Sequence, residues 1–527
     1  MRTASSSVFS PHHPVEVVHI PNPTSLTVTS ELGYERYFIV SGLLWGPAPT
    51  LTIVVGERTF EEDFARVGRW IEEYLSEPSR YPVLPAIRPG EVAAALPDHA
   101  PEEGEPFERI MADFERIIIP GITHWNHPRF FAYFATSAAP AAIAAEALAA
   151  TLDVKVMLWR TSPSAAELES VVMRWLGRLM GVPETWTGVI YDTASVAGFT
   201  ALGAARESLG LHIREDGMCG RDLPPLRIYA TTQTHSHIEK AAIALGIGQR
   251  NVVAVPCDEA YRMDPMALQR AIDEDRRAGR QPMAIVATVG TTSTTAIDPV
   301  PAIAEIAQRE RIWLHVDAAY AGVASILPEF AYLMDGVARA DSLVVNPHKW
   351  LFIPMDLSVL FLRDEATVRR AFTLVPEFLT TTDGDVRNYM DYGIQLGRRF
   401  RALKLWFVLR HMGAAQIRER LRGHIALAQR FAQWVDEDPH WETMAPHPLS
   451  LVCFRYHPAG VNDEAQLERI NAQLLEAVNA TGEMFISHTK LDERYALRLA
   501  IGNLRTTRSD VEAAWAILQR EAAGLAV

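Results

Sequence analysis

Cysteine is scarce in this chain: Cys219, Cys257 and Cys453 are the only three in 527 residues, and they lie far apart. That excludes a disulfide scaffold and any cysteine spacing suited to a metal, and it points to a reducing compartment such as the cytoplasm. Positive charge is also in deficit. The net charge is −14 and the pI about 5.7, which argues against nucleic acid as a partner, because phosphate backbones select excess Lys and Arg. Long apolar runs are missing too. The nearest approach, Phe38 to Val55, has no charged residue but is interrupted by Ser41, Gly42, Gly46, Pro47 and Pro49. It makes a poor membrane span. Glu31 and Glu35 precede it, with only Arg36 beside it, so it makes a poor secretory signal as well. No internal repeat or low-complexity tract stands out.

What remains is the composition of an ordinary globular protein, 48% hydrophobic and 22% charged, long enough for two or three domains. Between residues 140 and 403 helical and strand patterns alternate. The strands are Gly188–Tyr191, Arg227–Ala230, Met283–Thr288, Ile312–Val316 and Ser342–Val345. Such alternation predicts an α/β architecture with a mostly parallel sheet. Upstream, Phe60 to Leu75 and Phe107 to Ile118 carry apolar residues at helical spacing. Residues 1–56 read as a disordered or loosely packed extension, or as a stretch ahead of a translation start at Val54 or Val55.

The organising stretch is Leu343-Val344-Val345-Asn346-Pro347-His348-Lys349-Trp350. An apolar run ending in Asn-Pro-His-Lys is a buried strand that delivers a lysine to a loop, where desolvation lowers its pKa as imine chemistry requires. A lone lysine after a strand is ordinarily a surface residue, but three features upstream change that reading. Ile312 to Val316 ends in Asp317, an acid at the end of a strand, where α/β sheets meet ligands. The spacing from there to Ser342 predicts one helix, Pro328 to Val337. Gly188 to Tyr191 leads through Asp192 and Thr193 into Ala194 and Ser195 at the start of a helix, where free N–H groups suit a phosphate. His235 stands in the polar loop Thr232 to His237, ahead of a helix from Ile238 to Leu245.

An imine-forming lysine, an acid for a pyridinium nitrogen, a phosphate-holding helix start and a flat histidine together describe a pyridoxal phosphate site. The chain resembles the pyridoxal-dependent group II decarboxylases, above all the aromatic L-amino acid decarboxylases and the related aromatic aldehyde synthases. The shared motifs include His124-Trp125, Phe130 to Phe134, Ser162-Pro163, Glu167-Leu168-Glu169, Gly290-Thr291-Thr292, the Asp317 and Lys349 segments, and Leu396 to Phe400. They run from about Thr59 to the last helix.

The resemblance implies the pyridoxal-phosphate fold type I, like that of aspartate aminotransferase. Residues 57–139 would form an N-terminal helical segment, 140–403 the large cofactor domain and 404–527 a small C-terminal domain. It also implies a homodimer with shared sites. Lys349 would bind the cofactor covalently and carry protons, Asp317 would pair with the ring nitrogen, and His235 would stack on the ring; His237 reads as structural. Ala194, Ser195, Thr292, Asn346 and His348 match further cofactor positions. Trp125, Tyr133, Phe134 and Thr136 match an aromatic pocket.

Four departures bear on substrate and product. Ala135, Met157 and Met355 replace a proline and two aromatics of the animal enzymes, which leaves a more adaptable wall. Phe378 stands where the decarboxylases carry the loop tyrosine credited with protonating the substrate carbon after CO₂ loss. The expected product is the amine, and the alternative is an aryl acetaldehyde formed with O₂. A transaminase and a catalytically silent binding protein are the readings from other classes. Arg498 is either a carboxylate ligand or half of a salt bridge.

Overall fold

A computed structural model describes residues 27–29, 35–37, 59–374 and 386–525. Most of the 1–56 extension and Phe378 therefore lie outside the described residues. Contacts divide the chain into two units, Met1–Ser76 and Glu77–Val527.

In the first unit the expected amphipathic helix is present as α1, Phe60–Ser76. Thr59 and Glu62 cap each other's backbone N–H groups at its start. Phe60 and Phe64 stack on one face, with centroids 5.5 Å apart.

The first unit also holds a two-stranded antiparallel pair, Thr27–Thr29 with Glu35–Tyr37, and the second unit holds the two larger sheets. Seven strands form the large one: β1 (Thr187–Tyr191), β2 (Leu226–Thr231), β3 (Val252–Val255), β4 (Gln281–Thr288), β5 (Trp313–Asp317), β6 (Ser342–Val345) and β7 (Ser358–Leu362). Their order is β1-β7-β6-β5-β4-β2-β3. β6, β5, β4, β2 and β3 pair in parallel, while β7 runs antiparallel to both of its neighbours. The ends of β1, β2, β4, β5 and β6 therefore share one edge of the sheet, the edge where α/β sheets hold ligands.

Near-continuous burial of these strands marks a sheet covered on both faces. The helices α2 (Pro140–Leu152), α3 (Pro163–Met180), α4 (Ala194–Glu207), α5 (His237–Ala244), α6 (Pro265–Arg277) and α7 (Val300–Glu310) accompany it. The long α8 (Ala402–Glu437) leads to an antiparallel sheet of four strands: β8 (Trp441–Thr443), β9 (Leu451–Tyr456), β10 (Ser487–Leu491) and β11 (Arg494–Ala500).

Two sequence expectations need correction. Pro328 to Val337 is not a helix. The segment is a series of short 3₁₀ turns, Ala321–Ile326, Pro328–Met334 and Val337–Arg339. Gly336 separates the last two turns at φ 81°, a conformation that breaks helical continuity. The Phe107–Ile118 helix is regular only to Asp113 and then widens into a π turn at Phe114–Ile118, ahead of Pro120.

An ion pair buried beneath the sheet edge helps to fix its position. Glu169 Oε1 of α3 accepts from the Ile190 N–H at 2.9 Å and from Arg398 Nη2 at 2.7 Å. Arg398 also donates to the carbonyls of Ile190 and Val156. β1, α3 and the Arg398 segment are thereby joined, which explains two of the motifs read from sequence.

Candidate active site

Lys349 sits in a single helical turn, Pro347–Trp350, that directly follows β6. Its neighbours hold the turn rigidly. The Asn346 side chain accepts from Ser358 Oγ at 2.6 Å, and His348 Nδ1 accepts from the Leu357 N–H at 3.0 Å. Burial draws the His348 pKa down to about 3, so its imidazole is neutral.

The Lys349 ammonium lies 5.3 Å from the centre of the Phe134 ring. Desolvation lowers its pKa, with Asp317 acting in the opposite direction. Phe134 stacks on Tyr320 at 3.7 Å, and Tyr320 stacks on Trp350 at 4.8 Å. A column of rings thus supports the lysine from below.

Asp317 is the last residue of β5, buried, and it accepts from the Ala319 N–H at 3.0 Å. Burial works against its charge, yet the Lys349 ammonium and that N–H, together with the rings of His237 and His315 when these are protonated, hold its pKa below the usual carboxylate range. It remains ionised, with a side-chain environment suited to a protonated ring nitrogen.

The start of α4 lies after β1 on the same edge. The Thr193 side chain does not cap this helix, so the first backbone N–H groups, at Ala194 and Ser195, are available to an anion. His235 lies after β2, exposed in this chain, and Lys349 and Asp317 are among the charges that act on it.

Sequence reasoning left Arg498 undecided, and the geometry favours one side. Arg498 is 4% exposed on β11 and donates to Ser293 O, Ser487 Oγ and Thr292 O. Among the described residues no carboxylate pairs with it, and its guanidinium lies 5.6 Å from the Phe134 ring. Thr292 is exposed and contributes its carbonyl to this arginine.

The remaining pocket residues are distributed differently from Phe134. Trp125 and Tyr133 are exposed and stack on each other at 6.1 Å, and Tyr133 also meets Phe485 edge-on at 5.7 Å. Thr136 is half-buried. The structure therefore brings Lys349, Asp317, His235, Phe134 and Arg498 to one edge, while Trp125 and Tyr133 form a separate aromatic face.

An amine, a buried carboxylate and an uncapped helix start match the aldehyde, pyridinium and phosphate of pyridoxal phosphate, so these residues fit the cofactor. The family model described as the pyridoxal-dependent decarboxylase conserved domain matches residues 89–457. The chain belongs to the pyridoxal-dependent decarboxylase family.

Its cofactor is pyridoxal phosphate, and it is a carboxy-lyase. "Tyrosine decarboxylase 4" of Petroselinum crispum is 40% identical over 88% of this chain and 94% of its own length. "Phenylacetaldehyde synthase" of Petunia hybrida is 39% identical over the same shares. Among solved structures, Oryza sativa TDC with PLP and tryptamine superposes with a TM-score of 0.85 at 35% identity, covering 88% of this chain and 97% of that one. Among the described residues, no helix is long and apolar enough to cross a membrane.

Proposed function

We propose that this enzyme removes the carboxylate of an aromatic L-amino acid as CO₂ and releases the amine. The observation that carries the reading is the Phe134 ring with Lys349 at 5.3 Å and Arg498 at 5.6 Å. An aromatic wall with an amine and an unpaired guanidinium beside it suits an amino acid with an aromatic side chain. The relatives named for tyrosine decarboxylation support it.

Bound pyridoxal phosphate supplies the sink for the electrons left when CO₂ departs. Lys349 would hold it through Nζ, and its depressed pKa favours the neutral amine that could do so and then carry protons. Asp317 would hold the proton on the ring nitrogen. The N–H groups of Ala194 and Ser195 would bind the phosphate, with Thr292, Asn346 and His348 shaping the surroundings. His235 would cover the ring. Trp125, Tyr133, Phe134 and Thr136 complete the substrate pocket across a homodimer in the cytoplasm. Exposed Leu148, Leu152, Ile394 and Leu396 supply apolar surface of the kind a second subunit covers.

A second reading is favoured by Phe378, which has no phenolic proton to give. Substrate, O₂ and water would then yield one aryl acetaldehyde, CO₂, ammonia and hydrogen peroxide. The Petunia hybrida relative carries that activity in its name. The test incubates purified protein with phenylalanine, tyrosine, tryptophan and dopa, and measures CO₂, amine, aldehyde, ammonia, peroxide and O₂. Absence of CO₂ from every one of them refutes aromatic decarboxylation. Phe378→Tyr shifts product toward amine on the second reading. A wild type that consumes no O₂, with an unchanged product ratio in the variant, refutes it.

A further inference from the structure

His237 was read from sequence as structural, but the geometry gives it a more specific task. Its Nδ1 lies 3.1 Å from His235 Nδ1, and its backbone N–H donates to that same His235 nitrogen at 3.2 Å. A nitrogen that accepts a backbone N–H carries no proton, so the proton of neutral His235 is on Nε2. His237 Nδ1 must then be the donor of the pair. This leaves His237 Nε2 as a bare lone pair, and that atom is indeed buried with no partner. It is sealed against Gly198 of α4, where an added Cβ would come within 2.7 Å of it. His237 is 2% exposed, and burial outweighs the attraction of Asp317 to draw its pKa to about 4, so it stays neutral and has a single N–H to give.

We propose that His237 is a positioning residue that saturates His235 Nδ1 with two donors and fixes His235 as the Nε2–H tautomer. The opposite edge of the His235 ring then offers the site a hydrogen-bond donor and no lone pair. Resting on the function proposed above, this assigns the group it meets: the substrate carboxylate, an anion that a donor attracts and a lone pair repels. The backbone N–H bond is long, at 3.2 Å, and resists a turn of the imidazole about its χ2 bond only weakly. The second donor, from a ring locked under Gly198, adds to that restraint and shifts the balance decisively to the Nε2–H form.

The experiment uses holoenzyme labelled with ¹⁵N-histidine. Long-range ¹H–¹⁵N spectra report the tautomer, and His235→Asn identifies the His235 signals. Wild type is expected to show the proton on Nε2. His237→Leu removes the donor and should populate the Nδ1–H form, raising KM about tenfold, as loss of one charge-assisted hydrogen bond does, with kcat changed by less than about threefold. His237→Asn keeps an N–H near the Nδ1 position and should restore both tautomer and KM.

A wild-type His235 protonated on Nδ1 overturns the proposal. So does a His237→Leu enzyme with wild-type tautomer and KM. If the Leu variant does not fold, His237→Asn is compared with His237→Gln, whose N–H lies one bond farther out, and equal tautomers in the two overturn the proposal. Failure of the decarboxylase reading is distinct, because it would appear as absence of CO₂ while the tautomer signals still report on His237.

Discussion

Replacing Arg498 with methionine removes a guanidinium whose charge no carboxylate of the described residues balances. Three of its five N–H donors are committed, to Ser293 O at 2.9 Å, Ser487 Oγ at 2.9 Å and Thr292 O at 2.5 Å. Two are left for a substrate carboxylate. Each charge-assisted hydrogen bond contributes roughly 1.5–3 kcal/mol, so losing both should lower kcat/KM by about 10² to 10⁴. Loss of packing against Phe134 would weaken binding as well, but it would do so for any aromatic ligand. The assay therefore pairs CO₂ release from the amino acid with inhibition by the corresponding amine, which has no carboxylate. Arg498→Met should leave the amine's inhibition constant within about threefold of wild type while the amino acid suffers the full loss. If amine and amino acid weaken equally, Arg498 supports the pocket and does not bind the carboxylate.

Lys349→Ala should abolish turnover and the visible absorbance of the bound cofactor, and borohydride should label Lys349 in the wild type; label on another lysine refutes the assignment. Asp317→Asn should keep the fold, seen by circular dichroism, and lose at least about 10² in kcat, because the ring nitrogen no longer has an anionic partner; near-normal turnover contradicts the role. Glu169→Gln should destabilise the protein by about 3–5 kcal/mol in urea, because it strands the buried Arg398 charge. Glu169→Leu combined with Arg398→Met should recover part of that loss, and no recovery would show that the pair's value lies elsewhere. Deleting residues 1–56 should leave solubility and assembly state unchanged by gel filtration, and insoluble or smaller species would make the extension part of the core.

The ends of the strands were legible because buried parallel strands are apolar throughout, so a polar residue at their ends stands out. Asp317 and Lys349 were readable for this reason, as was the Ala194 helix start. Ser358–Leu362 was not read as a strand, and its reversed direction has no local sign, since periodicity says nothing of which neighbour a strand will join. The same limit hid Val252–Val255. Pro328 to Val337 has helix-forming residues, but Gly336, at φ 81°, interrupts the segment, and it settles into short 3₁₀ turns instead. Arg498 could not be assigned from its own strand, because what distinguishes it is the absence of an acid among residues distant in sequence. His237 looked like one more polar loop residue beside His235. Its burial under Gly198 brings together two segments that no local pattern connects.

The reversed strand β7 has a consequence for how the site assembles. Because the chain turns back at once after Lys349, the lysine occupies the tip of a short loop. That loop is closed at its base by the pairing of Val345 with Val359 and by the bond between Ser358 and Asn346. Closing so short a loop costs little chain entropy. The proposed point of cofactor attachment is thus a local structure that can form with few distant contacts, whereas Asp317, His235 and Arg498 arrive only when remote segments dock. Folding intermediates of this chain should therefore present a preformed lysine turn before they can retain a cofactor.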